Sequence, residues 1–410
     1  MMAETFICQN GVRIVSEQIP HFRSVAVGIF IKVGSRDEEP QENGITHFIE
    51  HMLFKGTPTR SAKDIAREFD RIGGDINAYT SKEYTCYYAK VGDEHGALAV
   101  NIMADMFFNS NMEPVEIERE RQVVLEEISM TEDMPDDDVH EQLWRVMYPE
   151  HSMGAPILGL EGTLETFDAD KVRGFMDRFY IPSNTVVSVA GNITPELIRQ
   201  IEELFGSFQK GDLNKPYVAP EFTAGSSVKY KDIEQGHLCY GFPGLSITDP
   251  HLYDMAVMNN ILGGTMSSRL FQEIREERGL AYSIYSYHSA YSDHGTLAIY
   301  GGTSNEQLPE LQEKIMESIH TMRSGGLTQI EVDDSKEQFR GNLLLGMEST
   351  RSRMSRNGKH ELLLGRHIAF DDVLKKIEEV SMEGVQYTLE LLETGPAQSI
   401  IRSKEASSES

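Results

Sequence analysis

The two halves of this 410-residue sequence repeat one order of strands and helices. The first half opens with alternating residues around Asn10-Gly11, which predict a hairpin, and continues with a buried strand from Ser24, a helix and the paired strands DINAYTS and EYTCYYAKV. The second half restarts with HLCYGFPG, two helices and the strands LAYSIYSYHS and HGTLAIYGGTS. The repeat predicts an α+β protein of two homologous domains; a chance likeness between two sheet-and-helix patterns is the alternative.

The boundary between the halves is a segment without apolar periodicity. QKGDLNKPYVAPEFTAGSS collects Lys, Gly, Pro and Ser, which is typical of a linker. We therefore predict a first domain over residues 1–212, a linker over 213–223, a second domain over 224–403 and a disordered tail over 404–410. A chain of this length is longer than one compact domain usually is, which also favours two.

Charge and cysteine usage exclude several classes of function. Lys and Arg number 38 against 65 Asp and Glu, a formal net charge of −27, so we expect no binding to nucleic acid or anionic membranes and attraction for basic peptides. An excess of acid that only keeps the protein dispersed is the alternative. The cysteines Cys8, Cys86 and Cys239 are far apart and predict neither a disulfide framework nor a thiolate metal site.

The segment MMAETFICQNGVRIVSEQIP lacks the basic and apolar regions of a signal peptide, and it also lacks a basic transit-type segment. No uncharged apolar stretch reaches the length of a membrane span. We therefore expect a cytoplasmic protein without a membrane partner.

The run H-F-I-E-H predicts a metal site. On a helix, His47 and His51 lie one turn apart on one face, so both imidazoles can reach one ion. Glu50 flanks that face, close enough to take a proton from metal-bound water as a general base. This is the reversed form of the metallopeptidase helix. Two unrelated surface histidines are the alternative, but the apolar residues around them indicate a mostly buried helix.

A catalytic zinc with two histidines needs a third protein ligand. The helix PVEIERERQVVLEEISM carries several glutamates. Glu120 and Glu127 share a stripe with apolar residues, whereas Glu126 shares a solvated face, so we predict Glu127 as the ligand, Glu120 as a supporting acid and Glu126 as the fallback. Alternatively, both carboxylates reach solvent from the edge of the stripe. Cobalt or manganese fits the same donors as zinc.

Together, H-F-I-E-H and E-R-E-R-Q-V-V-L-E-E-I resemble the pitrilysin and insulinase family of zinc peptidases, most closely its mitochondrial processing peptidase-like branch. The resemblance extends from the opening hairpin to at least Arg340. The family's third ligand and its auxiliary glutamate match Glu127 and Glu120. Aligning Gly56-Thr57 with Gly264-Thr265 then sets Met255, Met258 and Asn259 opposite the site residues, which indicates a second domain that has lost its ligands.

The resemblance implies further site residues. The segment GGTMSSRLFQEIREERGLAY is similar to the family's substrate-binding segment, which implies that Arg275 and Tyr282 assist at the scissile carbonyl. The strand GGDINAYT resembles the edge strand onto which a peptide adds, with Asn77, Ala78 and Tyr79 as the binding residues. Without the resemblance, Arg275 is an ordinary helix-surface charge and Tyr282 a strand core residue.

The family's architecture implies domains with a mostly antiparallel sheet packed with helices, each chain forming half of a clamshell chamber. The expected protein is a homodimeric zinc endopeptidase with one Zn²⁺ per chain, cleaving unfolded, basic peptides inside an acidic chamber. The alternatives are a catalytically silent structural subunit of this family and a module that binds peptides without cleaving them.

Overall fold

A computed structural model describes residues 3–208 and 217–404, which form two compact units. The first unit comprises the described residues of Met1–Ile128, Ala155–Pro216 and Leu344–Ala369. The second comprises those of Ser129–Gly154, Tyr217–Leu343 and Phe370–Ser410. Residues 213–216 of the predicted linker and 405–410 of the predicted tail lie outside the described part, and the predicted domain boundaries stay predictions.

Each unit contains one sheet. The first sheet consists of β1 (Glu4–Ile7), β2 (Arg13–Gln18), β3 (Ser24–Ile31), β4 (Asp75–Thr80), β5 (Thr85–Gly92) and β6 (Thr185–Gly191). The second consists of β7 (Ser226–Tyr230), β8 (Gln235–Gly244), β9 (Ser283–Ala290), β10 (Gly295–Ser304) and β11 (Ala397–Arg402).

The described helices account for much of the remaining chain. In the first half they are α1 (Ile45–Met52), α2 (Ala62–Arg71), α3 (Gly96–Asn109), α4 (Pro114–Asp133), α5 (Pro135–Met147), α6 (Glu161–Leu164), α7 (Ala169–Phe179) and α8 (Pro195–Gly206). In the second half they are α9 (Leu252–Asn259), α10 (Leu308–Thr321), α11 (Gln329–Gly346), α12 (Thr350–Lys359), α13 (Phe370–Glu378) and α14 (Met382–Glu390), with π-helical turns at Asn260–Gly264, Phe271–Glu276, Met322–Gly326 and His360–Leu364.

The two sheets share one topology, except that the first has an additional edge strand, β1. The first has the order β1-β2-β6-β3-β5-β4, and the second has the order β7-β11-β8-β10-β9. In each sheet one pair is parallel, β2 with β6 and β7 with β11, and the other pairs are antiparallel. The predicted α+β fold of two sheet-and-helix halves is therefore confirmed. Within the described residues, no helix combines the length and apolar character needed to cross a bilayer.

Both faces of each sheet are buried, which explains why β3 and β6 are apolar along their length. In the first unit, helices including α1, α2 and α3 cover one face, and α12 covers the other with Met354. In the second unit, α9 and α10 pack on one face and α5 on the other with Met147. The helices α12 and α5 thus each belong to the unit formed mainly by the opposite half of the sequence.

Glycines allow these covering helices to approach closely. A Cβ atom at Gly28 of β3 would collide with the sulfur of Met354, and one at Gly241 of β8 would collide with the sulfur of Met147. At Gly358 of α12, a Cβ atom would collide with the fully buried ring of Phe30. The approach of α12 to the first sheet therefore requires the absence of a side chain at position 358.

We expect Gly358→Ala to destabilise the protein by about 1–3 kcal/mol, because the added methyl overpacks the buried face. The matched control is Gly174→Ala in α7, where a Cβ atom would meet no neighbour within 4 Å; better helix propensity should make it stabilising by up to ~1 kcal/mol. Urea unfolding followed by circular dichroism measures both. Equal stability of the two variants would contradict the close packing of α12.

Candidate metal centre

The helix α1 presents two imidazoles to one point. His47 is buried, His51 is partly exposed, and their Nε2 atoms lie 3.2 Å apart. The apolar residues between and around them, Phe48, Ile49 and Met52, are fully buried in the first core. That packing sets the rotation of α1, so the polar edge of the helix carries the two histidines and Glu50.

A buried carboxylate holds the N-terminus of α1. The side chain of Glu38 accepts hydrogen bonds from the backbone N–H groups of Gly44 (2.8 Å) and Thr46 (2.9 Å) and from the amide of Asn43 (3.1 Å). Burial raises the pKa of Glu38 to about 7, although these donors oppose the shift. Gly44 has φ of 92°, and a Cβ atom there would collide with the backbone of Gly159, so the helix begins at a position that requires glycine.

The third donor comes from α4. Oε2 of Glu127 lies 3.7 Å from Nε2 of His47 and 3.6 Å from Nε2 of His51. Donors around a tetrahedral zinc lie about 3.3–3.5 Å from one another, given metal–ligand bonds of about 2.0–2.2 Å. Among the residues that the structure describes, this is the one group of three His, Cys or carboxylate residues whose donor atoms converge within 4.8 Å. The donors therefore fit a zinc ion.

The donor group opens to solvent on one side, since 42% of the Glu127 side chain is exposed. A catalytic zinc site needs such an open position, in contrast to a closed structural site. Glu126 is exposed on the other face of α4, as the sequence predicts for a residue that does not bind the metal.

A second glutamate of α4 orients His51. Oε1 of Glu120 lies 2.7 Å from Nδ1 of His51, and Oε2 contacts the ammonium of Lys55. Glu120 is almost fully buried. Burial favours its neutral form, but the hydrogen bond with His51 and the charge of Lys55 outweigh this and lower the pKa of Glu120. The ionised carboxylate accepts a hydrogen bond from the Nδ1–H group of His51. Nε2 of the same ring is then free to bind a metal.

The two imidazoles differ in their electrostatics. Burial, together with the neighbouring His51, lowers the pKa of His47 to about 3, so its ring is neutral at neutral pH. Burial also lowers the pKa of His51, but the contact with Glu120 outweighs it and raises the pKa above its ordinary value. His51 therefore holds its second ring proton more tightly than His47 does. A metal ion that binds here competes with a proton mainly at His51.

Glu50 belongs to the same helix but not to the donor group. Its Oε2 accepts a hydrogen bond of 2.5 Å from the hydroxyl of Thr80 at the end of β4. Burial raises the pKa of Glu50, and the Thr80 hydroxyl partly offsets the rise. A carboxylate held beside a metal site but outside its ligands is suited to proton transfer.

The residues predicted to bind a peptide lie on β4, an edge strand of the first sheet. The side chain of Asn77 is exposed, and its oxygen accepts a hydrogen bond of 2.8 Å from the N–H of Ala78. The ring of Tyr79 packs against the rings of Tyr84 and Tyr88. An edge strand can pair with an added strand, and the role of these three residues stays a prediction.

The second unit places Arg275 and Tyr282 together. The guanidinium of Arg275 lies 4.5 Å from the ring centre of Tyr282 and 4.6 Å from that of Phe271, which is a cation–π arrangement. Tyr282 is 79% exposed and is not the core residue that the pattern alone indicates. Their action at the scissile carbonyl stays a prediction.

Glu38, Lys55 and Thr80 also contact the helix α1 or the residues of this site and were not predicted from the sequence. Each is a single polar residue in a loop or at the end of an element, where no periodic pattern separates a buried partner from a solvated side chain. Ser-Arg-Asp-Glu ahead of the metal helix offers no local sign that the glutamate is buried.

Two histidines four residues apart, a carboxylate from a second helix and an adjacent glutamate outside the donor group match the pattern of residues in inverted-motif zinc metallopeptidases. Sequence comparison identifies the family. Residues 13–161 match "Insulinase (Peptidase family M16)", and residues 166–339 match "Peptidase M16 inactive domain".

Known proteins resemble the chain over nearly its full length. "Uncharacterized zinc protease YmxG" of Bacillus subtilis is 52% identical over 384 residues, which cover 94% of each chain. A crystal structure of a protease from Helicobacter pylori has a TM-score of 0.92 at 21% identity, covering 98% of this chain and 99% of that one. A peptidase M16 inactive domain from Pseudomonas fluorescens has the same TM-score at 18% identity, covering 98% of each. These two structures share the fold.

The chain belongs to the insulinase family, peptidase family M16. The predicted resemblance to the pitrilysin and insulinase family is thereby confirmed. Its relatives are named zinc proteases, which supports a protease with zinc as its metal at the level of the family.

We expect Glu127→Gln to lower zinc affinity by more than about 100-fold, beyond the ~10–100-fold effect of losing a residue that only supports a ligand. The neighbouring Glu126→Gln changes the same charge on the exposed face of α4 and should bind zinc like the unaltered protein. Competition against a chromophoric chelator measures both affinities. A loss in Glu126→Gln with tight binding in Glu127→Gln would reverse the assignment.

Proposed function

We propose that the protein is a zinc-dependent endopeptidase that cleaves unfolded peptides, with His47, His51 and Glu127 as the ligands of one Zn²⁺ per chain and Glu50 as the general base. The observation that carries this proposal is the convergence of three donor atoms at 3.2–3.7 Å beside a fourth carboxylate that stays outside the group. A structural metal site would have no need of that fourth carboxylate.

In this mechanism each side chain has one task. Glu50 takes a proton from the attacking water as the oxygen–carbon bond forms, and delivers it to the leaving amine as the carbon–nitrogen bond breaks. Zinc, when bound, supplies Lewis acidity at the scissile carbonyl. Glu120 keeps His51 in its metal-binding orientation. Arg275 and Tyr282 donate hydrogen bonds to the developing oxyanion.

The substrate is proposed to bind as a strand. A peptide pairing with the edge strand β4 at Asn77, Ala78 and Tyr79 is held by backbone hydrogen bonds, which suits an unfolded chain of varied sequence. The net charge of −27 favours basic peptides. By likeness to the family, we propose a cytoplasmic homodimer whose domains enclose a chamber and which acts as a processing protease.

A catalytically silent subunit is the competing proposal, and the "inactive domain" match bears on it. That match covers residues 166–339, whereas His47, His51, Glu50 and Glu127 all lie before residue 161. In the second unit, α9 follows β8 as α1 follows β3, and it carries the fully buried Met255 and Met258 in its core. The inactive description thus falls on a part of the sequence that does not contain these four residues, which favours an enzyme.

Metal content and peptidase activity test the proposal together. The unaltered protein should hold one zinc and cleave a quenched fluorescent peptide. Glu50→Gln should keep the zinc and lose cleavage by at least about 100-fold, because it removes the proton acceptor. His51→Ala should lose both. Full activity in Glu50→Gln would refute the mechanism, and zinc-loaded protein without any activity would favour the silent subunit.

Substrate charge gives a second prediction. Two peptides of equal length that differ only in lysine or glutamate at matched positions should differ in kcat/KM by about tenfold or more in favour of the basic peptide, because the acidic protein attracts it. The ratio should fall as salt is raised, since salt screens the attraction. A preference for the acidic peptide, or a ratio independent of salt, would contradict this part of the proposal.

A further inference from the structure

The hydroxyl of Thr80 joins the edge strand to the metal helix. Its Oγ1 donates a hydrogen bond of 2.5 Å to Oε2 of Glu50. Among the described residues, Thr80 is the one hydrogen-bond donor to that carboxylate. Thr80 is the last residue of β4, and both side chains are partly buried.

The position of Thr80 in the strand sets the direction of its side chain. Alternation along β4 puts Ile76, Ala78 and Thr80 on the face that meets the core of the first unit. Ile76 and Ala78 pack against that core, whereas Thr80 directs a hydroxyl at Glu50. A valine of the same shape would fit this face, so the hydroxyl indicates a requirement other than packing.

The chemistry of Glu50 explains such a requirement. A carboxylate beside a metal site can rotate towards the ion and become a ligand, which would end its use as a base. A hydroxyl that donates to Oε2 favours one orientation of the carboxylate and leaves Oε1 to accept a proton from water. Because the donor belongs to a strand, its position is fixed by the sheet and not by a mobile loop.

The strand carries a second constraint. Thr80 follows directly after Asn77, Ala78 and Tyr79, the residues proposed to pair with a peptide. Movement of β4 therefore moves the peptide and the hydroxyl together. The distance between the base and a bound peptide bond is then set by one rigid element, which is the condition for efficient proton transfer.

We propose that Thr80 is a positioning residue, whose hydroxyl holds the Glu50 carboxylate outside the metal ligands and in register with a peptide on β4. This inference rests on the proposed function, since it assigns a role in the reaction for which Glu50 is the base. Thr80 does not touch the reacting atoms and acts through Glu50 alone.

The chain offers a matched control in the neighbouring strand. Thr85 of β5 is the register partner of Thr80, and its hydroxyl donates a hydrogen bond of 2.9 Å to the backbone oxygen of Val33. Thr80→Val and Thr85→Val therefore remove the same group from adjacent positions, but only one of the two hydroxyls contacts Glu50. Thr80→Ser keeps the hydroxyl and removes a methyl group.

We expect Thr80→Val to lower kcat by about 10–100-fold, the scale of a misplaced catalytic group. KM, zinc content and the dissociation constant of a fluorescent peptide, measured by anisotropy, should stay within about twofold, because neither the ligands nor the backbone of β4 changes. Thr80→Ser should restore kcat to within about threefold of the unaltered protein. Thr85→Val should lower the melting temperature without a selective loss of kcat.

Several results would overturn the inference. Unchanged kcat in Thr80→Val would show that the hydroxyl does not position the base, and loss of zinc in that variant would place the effect at the metal ligands. Equal losses in Thr80→Ser and Thr80→Val would show that the methyl group matters and the hydroxyl does not. These outcomes need an active unaltered protein and an inactive Glu50→Gln variant. An inactive unaltered protein would instead refute the proposed function and the role of Thr80 with it.

Discussion

The hydrogen bond between Nδ1 of His51 and Oε1 of Glu120 joins the two helices that carry the metal donors. The residues lie 69 positions apart, yet their 2.7 Å contact sets the distance at which Glu127, two turns along α4, faces both imidazoles. Burying the charge of Glu120 is costly, and the contacts with His51 and Lys55 offset that cost. Removing either partner would leave the buried carboxylate with only one of its two compensating contacts, so the arrangement tolerates little change.

A buried carboxylate that is compensated by hydrogen-bond donors also lies at the start of the metal helix. Glu38 is buried at the N-terminus of α1 and is compensated there by two backbone N–H groups and the amide of Asn43. One carboxylate thus fixes where α1 begins, and Glu120 fixes the face that its second histidine presents. Thr80 holds Glu50 in turn from the sheet. Polar contacts thus orient the side chains of His51 and Glu50, whereas the apolar core sets the rotation of the helix that carries them.

The second unit keeps the topology of the first, although its described residues form no comparable group of metal donors. Apart from the additional edge strand β1 of the first sheet, both sheets have the same order and strand directions, and each has a covering helix whose methionine lies close to a glycine of an inner strand. In α9 the residues that align with the metal site include fully buried methionines, which contribute packing and no donors. The topology therefore persists through burial of apolar surface and does not depend on the metal site.

The sequence by itself determined the repeated sheet-and-helix order, the helix with His47, Glu50 and His51, and the choice of α4 as the helix whose carboxylate faces the two histidines. These features follow a local period of two or 3.6 residues, or a fixed spacing, and can be read from neighbouring positions. The strands β7 and β11 were not predicted, because β7 is a short edge strand and β11 is a short strand late in the sequence, each with too few residues to establish a period. The helix α7 was also not predicted, although its buried residues Val172, Phe175 and Phe179 follow the helical period.

Only the tertiary structure decided which single polar residues complete the site. Lys55 pairs with Glu120, Glu38 holds the start of α1 and Thr80 donates to Glu50. Tertiary packing also decided that Tyr282 is exposed and that α12 covers the first sheet. Each of these features depends on a contact between residues that are distant in sequence. Such a contact leaves no pattern along the chain. In the sequence, a polar residue with a buried partner cannot be told from a solvated one, because only the fold brings its neighbours together.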